Sequence, residues 1–158
     1  MSRARRAPEV CFVIDDRERL PYDLSPAITR RLATGDYSLV GCEHRIAIER
    51  KTHADAYGSL SGRARDRFQR ELVRLGALEY GAIVIEASLH ELLVPARFSR
   101  LHPRAAITSL LAWSVRYGVH VFFAGDREHA MATTRQLLEK FARYHCEPTT
   151  EAACLPRS

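Results

Sequence analysis

Short apolar runs along the chain alternate with longer stretches in which apolar residues recur every three or four positions. Val10–Asp15 (VCFVID) is an apolar run ending in an acid, the pattern of a buried strand that reaches a functional edge. Leu24–Ala33 predicts a short helix, with Ser25 as N-cap, Pro26 in the first turn and Gly35 closing it. Tyr37–Val40 and Arg45–Glu49 predict two strands, joined as a hairpin by the turn at 41–44. A short helix is expected over 52–60. Residues 63–78 form an amphipathic helix, with Phe68, Leu72, Leu75 and Leu78 on one face. Ala82–Ala87 (AIVIEA) is another buried strand. Arg104–Tyr117 predicts a helix with Ile107, Leu110, Leu111 and Val115 turned inward and Gly118 as its stop. Val119–Ala124 predicts a strand, and Asp126 caps a last helix over 127–144. Strands alternating with helices after an opening hairpin define an α/β fold, a central sheet covered by helices on both faces. The hairpin makes that sheet mixed rather than purely parallel.

At 158 residues the pattern fits one domain, over about 9–145, between a basic arm at 1–8 and a loose tail at 146–158. No apolar run reaches the ~18–20 residues that span a bilayer, and the basic N-terminus lacks the apolar stretch of a secretory signal. The formal net charge is +5, and all but two of the 24 basic residues are Arg, the exceptions being Lys51 and Lys140. Arg pairs bidentately with phosphate, so this bias suits a polyanion partner. Nine of the 19 acids fall within residues 9–55. A basic protein with an acidic cluster fits a metal-dependent enzyme acting on a polyanion. Of the four cysteines none forms a CxxC pair or zinc spacing, and Cys11 reads as a buried core thiol. A cytoplasmic, reducing location follows.

The candidate chemistry sits in Asp15-Asp16-Arg17-Glu18, Gly35-Asp36, Glu49-Arg50-Lys51 and Asp55. Asp36 starts one hairpin strand and Glu49 ends the other, so the turn brings their carboxylates side by side on one cation. Mg²⁺ takes one or two carboxylates and keeps waters and substrate phosphate as its other ligands. Glu49 and Lys51 project to one face of their strand. Arg50 points the other way and leaves its main-chain carbonyl to the metal. An ammonium beside the ion can orient an attacking water and offset charge in a pentacovalent transition state.

Gly35-Asp36 followed by Glu49-Arg50-Lys51-Thr52-His53-Ala54-Asp55 matches the pattern GDx(n)ERKx(3)D. It resembles the signature of the XPF-type, or ERCC-type, nuclease domain of the PD-(D/E)XK restriction-endonuclease-like superfamily. Asp15-Asp16-Arg17-Glu18 resembles that family's D-x-R-E strand end. The resemblance covers about residues 10–144. It implies a restriction-endonuclease-like fold and a Mg²⁺- or Mn²⁺-dependent DNA endonuclease acting near branches or junctions, in repair or recombination. Carried over, Asp36 and Glu49 are metal ligands, Asp15 lies in or next to the metal site, and Lys51 is the catalytic lysine. Glu18, Arg50 and Asp55 are supporting members. Asp55 reads equally as a helix N-terminal acid favoured by the dipole. The resemblance also implies a homodimer, through 104–117, 127–144 and the strand between them, with Trp113 as an anchor. With about 13 residues after the last helix, the compact stand-alone form is expected.

Two basic runs are candidates for phosphate contact. The helix of 63–74 carries five Arg against two acids, and Arg63, Arg65 and Arg67 are its candidates. Arg97 and Arg104 represent the second run, after AIVIEA. A catalytically silent DNA-binding partner of the same fold is the alternative function. A domain acting on a small phosphorylated ligand lacks the glycine-rich phosphate loop it would need.

Overall fold

The structure is a computed structural model and describes residues 10–146. The basic arm, and the tail beyond its first residue, lie outside the described residues. Six strands form one sheet: β1 (Phe12–Asp15), β2 (Ala27–Arg30), β3 (Tyr37–Leu39), β4 (Ile46–Thr52), β5 (Tyr80–Glu86) and β6 (His120–Phe123). Their spatial order is β2-β1-β3-β4-β5-β6. β3 runs antiparallel to both β1 and β4, while β1–β2, β4–β5 and β5–β6 are parallel. The helices are α1 (His53–Ser59), α2 (Gly62–Gly76), α3 (Pro103–Tyr117) and α4 (Arg127–His145).

The alternation of side chains along the central strands sorts the core into two layers. Ala47, Ile83 and Ile85 face α1, α2 and α3, where they meet Tyr57, Phe68, Leu72, Leu110 and Trp113. Ile46, Ile48, Ala82 and Val84 face α4, where they meet Leu138 and Phe141. Both faces are therefore covered, and β4 and β5 are apolar almost throughout, as buried parallel strands require.

One expected element is different. The segment read as a helix over Leu24–Ala33 is β2, an edge strand parallel to β1, with Phe12 N–H donating to the Pro26 carbonyl at 2.9 Å. Leu24, Ile28 and Leu32 are four apart, a spacing that satisfies both the helical and the strand period. The open edge of β1 and the β-branched Ile28 and Thr29 decide for the strand. β4 also extends past the expected Glu49, through Arg50 and Lys51 to Thr52. Cys11 is buried as expected but is disulfide-bonded rather than a thiol. Trp113 is 5% exposed, edge-on to Phe68 at 5.7 Å between centroids. It is core and cannot anchor a partner. Leu111 and Val115, expected to turn inward, are exposed instead, because α3 buries the stripe Ala106, Leu110 and Trp113, four and three residues apart.

Two backbone positions matter for function. Gly35 has φ +75°, and a Cβ there would stand 2.8 Å from the Ala47 Cβ. Glycine thus lets the chain cross tightly over β4 just before Asp36, whose N–H donates to the Ile48 carbonyl at 2.8 Å. Phe98 adopts φ +67° in a turn closed by Ser99 N–H to the Ala96 carbonyl at 2.9 Å. A left-handed backbone costs a non-glycine residue about 1–2 kcal/mol.

Candidate active site

β4 outruns β3, and its C-terminal half carries the expected motif. Glu49 and Lys51 project toward α2 and Arg50 toward α4, as the strand period requires. Asp36 reaches the same place from the start of β3. Its Oδ2 accepts the Arg50 main-chain N–H at 2.8 Å, which fixes the carboxylate beside the Glu49–Arg50 peptide. Asp36, Glu49 and Lys51 line one open cleft of about 570 Å³, with Glu18 and Asp55 also on its wall and Arg17, Arg19 and Arg67 around it.

Lys51 Nζ donates to Glu49 Oε1 at 3.2 Å and lies 4.2 Å from the centroid of Phe68 on α2. The ring supplies an apolar seat and a cation–π contact for a buried ammonium. Lys51 and Glu49 are only 6% and 8% exposed, so their pairing is little weakened by solvent. Burial pushes the Glu49 carboxyl well above its ordinary range, and the neighbouring Asp36 charge pushes the same way. Glu71 of α2 adds to the same rise. Asp36 is pushed up to about 6, by burial first; the Arg50 N–H opposes the rise, and Glu18 adds to it.

On the other face of the sheet Arg50 is held by two acids. Its Nε and Nη2 donate to the two oxygens of Glu86 at 2.6 and 3.3 Å, and its Nη1 donates to Glu18 Oε1 at 3.4 Å. Burial opposes its charge, but Glu86 outweighs that and holds it above the ordinary arginine value. Glu86 also accepts from the Tyr22 hydroxyl at 3.0 Å and from Arg127 at 3.3 Å. Arg127 in turn donates to the Leu20 and Pro21 carbonyls. Glu86 and Arg127 were not among the expected site residues. An acid closing an apolar strand was the signal for Glu86, since a buried acid needs cationic partners.

The remaining candidates divide. Asp15 is 2% exposed, and each of its oxygens accepts two hydrogen bonds: Oδ1 from the Arg17 N–H and Nε, Oδ2 from Arg17 Nη2 and the Leu32 N–H. Burial works against its charge, but these donors outweigh it and leave its pKa lowered. Its carboxylate ties Arg17 and the end of the β2 segment together, and it faces a smaller depression of about 220 Å³ that Asp36 and Glu49 also line, next to the main cleft. Asp55 completes a capping box with Thr52 at the start of α1, so it serves the helix N-terminus while standing on the cleft wall. Arg65 donates to the Leu60 carbonyl and to Ser109, and its guanidinium lies 4.4 Å from the Trp113 centroid. It joins α2 to α3. Arg63, Arg97 and Arg104 are exposed away from the cleft lining.

Two carboxylates and a lysine at the end of a long strand, on a mixed sheet covered on both faces, define a restriction-endonuclease-like nuclease domain. The family model of the ERCC4 domain matches residues 14–137, and the chain belongs to that family. The fold is similar to XPF from Aeropyrum pernix, at a TM-score of 0.64 and 25% identity, over 85% of this chain and 66% of that one. The same protein solved in complex with DNA matches with a TM-score of 0.64 and 24% identity over the same shares. The chain thus spans just under two thirds of the length of these structures. A search of curated proteins returns no match.

Among the described residues, no group of three or more His, Cys, Asp or Glu side chains is arranged to hold a metal. The Asp36–Glu49 pair is therefore not an all-protein cage. It does fit an ion that takes one or two carboxylates and leaves its other positions to water and phosphate. The crowding that raises both carboxyls is relieved by a cation in the same place.

Replacing Asp36 by Asn removes one of the crowded charges and keeps an acceptor for the Arg50 N–H. The folded pKa of Asp36, about 6, lies above its ordinary value of 3.8, so its ionisation destabilises the fold as pH rises through that window. In EDTA, thermal unfolding should show Asp36→Asn no more stable than the parent at pH 3.5. Above pH 6.5 it should lead by an amount on the order of 2 kcal/mol. A gap that does not widen with pH would refute the crowding.

Proposed function

We propose that this chain is a Mg²⁺- or Mn²⁺-dependent DNA endonuclease that hydrolyses phosphodiester bonds at branched or junction-containing DNA. The observation that carries the reading is the convergence of Asp36, Glu49 and Lys51 on one open cleft flanked by arginines. The XPF relative solved in complex with DNA supports the choice of polymer. When bound, the divalent ion supplies Lewis-acid polarisation of the phosphate and lowers the pKa of its water.

Asp36 and Glu49, with the Arg50 main-chain carbonyl, would hold the ion. Lys51 Nζ keeps its place through Glu49 and Phe68, so its charge would stand beside the ion to orient a water and offset transition-state charge. Glu18 and Glu86 fix Arg50, whose N–H fixes Asp36. Arg17, Arg19 and Arg67 take the phosphates that enter the cleft. Asp15 stands next to the ion's place, in a depression shared with Asp36 and Glu49, and holds Arg17.

Single-turnover cleavage of a labelled forked duplex tests the chemistry. Lys51→Ala should lose two to three decades in rate, the effect of removing ~3–4 kcal/mol of transition-state stabilisation. Asp36→Asn should be as inactive, and Lys51→Arg should not recover fully, because a guanidinium fork is larger than the ammonium it replaces. A Lys51→Ala variant that cuts at the parental rate overturns the assignment. A parent that binds forks but never cuts would be the silent partner instead.

The two arginines of α2 separate by position. Arg67→Gln should flatten the slope of log K against log salt by about one phosphate contact, ~0.9. Arg65→Gln should leave the slope alone and lower the melting temperature, since its guanidinium is committed to Trp113 and the Leu60 carbonyl. The reverse pattern would put the DNA elsewhere.

The chain pairs with a second copy through α3, β6 and α4. β6 is an edge strand, and Leu111 and Val115 on α3 are 51% and 87% exposed. Sedimentation at high micromolar concentration should give a dimer; a monomer would sink this. No helix among the described residues is long and apolar enough to cross a membrane.

A further inference from the structure

β4 and β5 run parallel, with Lys51 opposite Ile85 and Thr52 opposite Glu86. The loop that leaves β5 therefore emerges at the same sheet edge as the active site. α1 anchors it there: the His53 ring bonds the Val94 carbonyl at 2.9 Å, and the Tyr57 hydroxyl donates to the Leu92 carbonyl at 2.5 Å. Ala54, Asp55 and Gly58 of the same helix line the cleft, so α1 is a strut between the cleft and this loop.

The loop has an unusual crest. Phe98 is 90% exposed and belongs to neither core cluster, while Leu93 and Val94 nearby are 49% and 64% exposed. Phe98 occupies the third position of the Ala96–Ser99 turn with φ +67°, where a glycine would fit without penalty. The turn lets Ala96 and Leu101 on either side pack on the core, while the Phe98 ring itself joins neither cluster. The Arg97 guanidinium lies 5.0 Å from the ring centroid. Between Ser88 and Arg104 three arginines, Arg97, Arg100 and Arg104, stand against one acid, Glu91. An apolar crest ringed by positive charge suits a polyanion that can offer a flat apolar face.

We propose that Phe98 is a stacking wedge that seats on the base exposed at a DNA strand discontinuity, and that it is a specificity-determining residue of this chain. The proposal rests on the DNA-cleaving reading above. In an intact duplex the base faces are stacked on one another, and only a costly unstacking opens one to a protein ring. At a fork the last pair has an open face. The arginines hold the flanking phosphates on either duplex, so they supply affinity without discrimination, and the ring supplies the preference.

The test uses the full chain in EDTA, so that nothing is cut. The probes are a forked duplex with 2-aminopurine at the junction and the matching intact duplex with the same label. The parent should bind the fork more tightly and quench the label. Phe98→Ala should lose roughly tenfold on the fork, the size of one base–aromatic stack, leave the intact duplex unchanged and restore the emission. Phe98→Trp should recover both the preference and the quench. Equal loss on both duplexes, no loss on either, or unchanged emission overturns the wedge. So does a Phe98→Ala variant whose change is a shift in sedimentation instead, which would make the ring a contact between copies. Cleavage with Mg²⁺ is followed in parallel. A Phe98-dependent preference without cleavage keeps the wedge and removes the endonuclease reading. Cleavage with a preference indifferent to Phe98 does the reverse.

Discussion

The hydrogen bond from the Arg50 main-chain N–H to Asp36 Oδ2, at 2.8 Å, is the joint on which the site depends. It ties the start of β3 to the part of β4 that no longer has β3 beside it. Without it, the Asp36 and Glu49 carboxylates would repel and part. With it, their repulsion is stored in the fold and raises both carboxyls. Each neighbouring feature serves that joint. Gly35 lets the chain approach β4 closely enough for Asp36 to arrive. Glu86 and Glu18 hold the Arg50 side chain, which steadies the residue that carries the N–H.

The two faces of β4 divide the labour. Toward α2 stand Glu49 and Lys51, which do the proposed chemistry. Toward α4 stands Arg50, in a network with Glu86, Tyr22 and Arg127. That network is satisfied by charge-assisted hydrogen bonds, so the buried guanidinium is not a liability. It links β1's following loop, β4, β5 and the first turn of α4. The cleft side is left short of partners, with Lys51 facing two acids and Glu71 as well. A stable scaffold on one face thus carries an under-neutralised pocket on the other.

Much of this was legible in the sequence because it is local. The two-residue spacing of Glu49 and Lys51 puts them on one face whatever the tertiary fold, and the turn at 41–44 brings Asp36 back to them. What was not legible depends on registers between distant strands or on ambiguous periods. Glu86 meets Arg50 because β4 and β5 pair with Thr52 opposite Glu86, and no local pattern fixes that register. The β2 segment was ambiguous because a spacing of four fits both periods. Arg65 turns to the α2–α3 interface instead of the cleft, and the sequence held a signal for that. It lies three residues before Phe68, on the same helical stripe as Leu72 and Leu75, so its stem runs into the interface with α3. Arg67 lies off that stripe and lines the cleft.

The placement of burial and exposure around α1 has a functional logic of its own. Its capping box with Thr52 and Asp55 fixes the exit of β4, and so the position of Lys51. Its other residues hold the loop after β5 through Tyr57 and His53. A seven-residue helix gains little stability from its own hydrogen bonds and owes its order to what it packs against. It is therefore positioned jointly by the strand that carries the reacting groups and by the loop that carries Phe98. The proposed recognition at the crest and the alignment of the cleft thus lean on one helix, bonded to Thr52 at its start and to the Leu92 and Val94 carbonyls along its length.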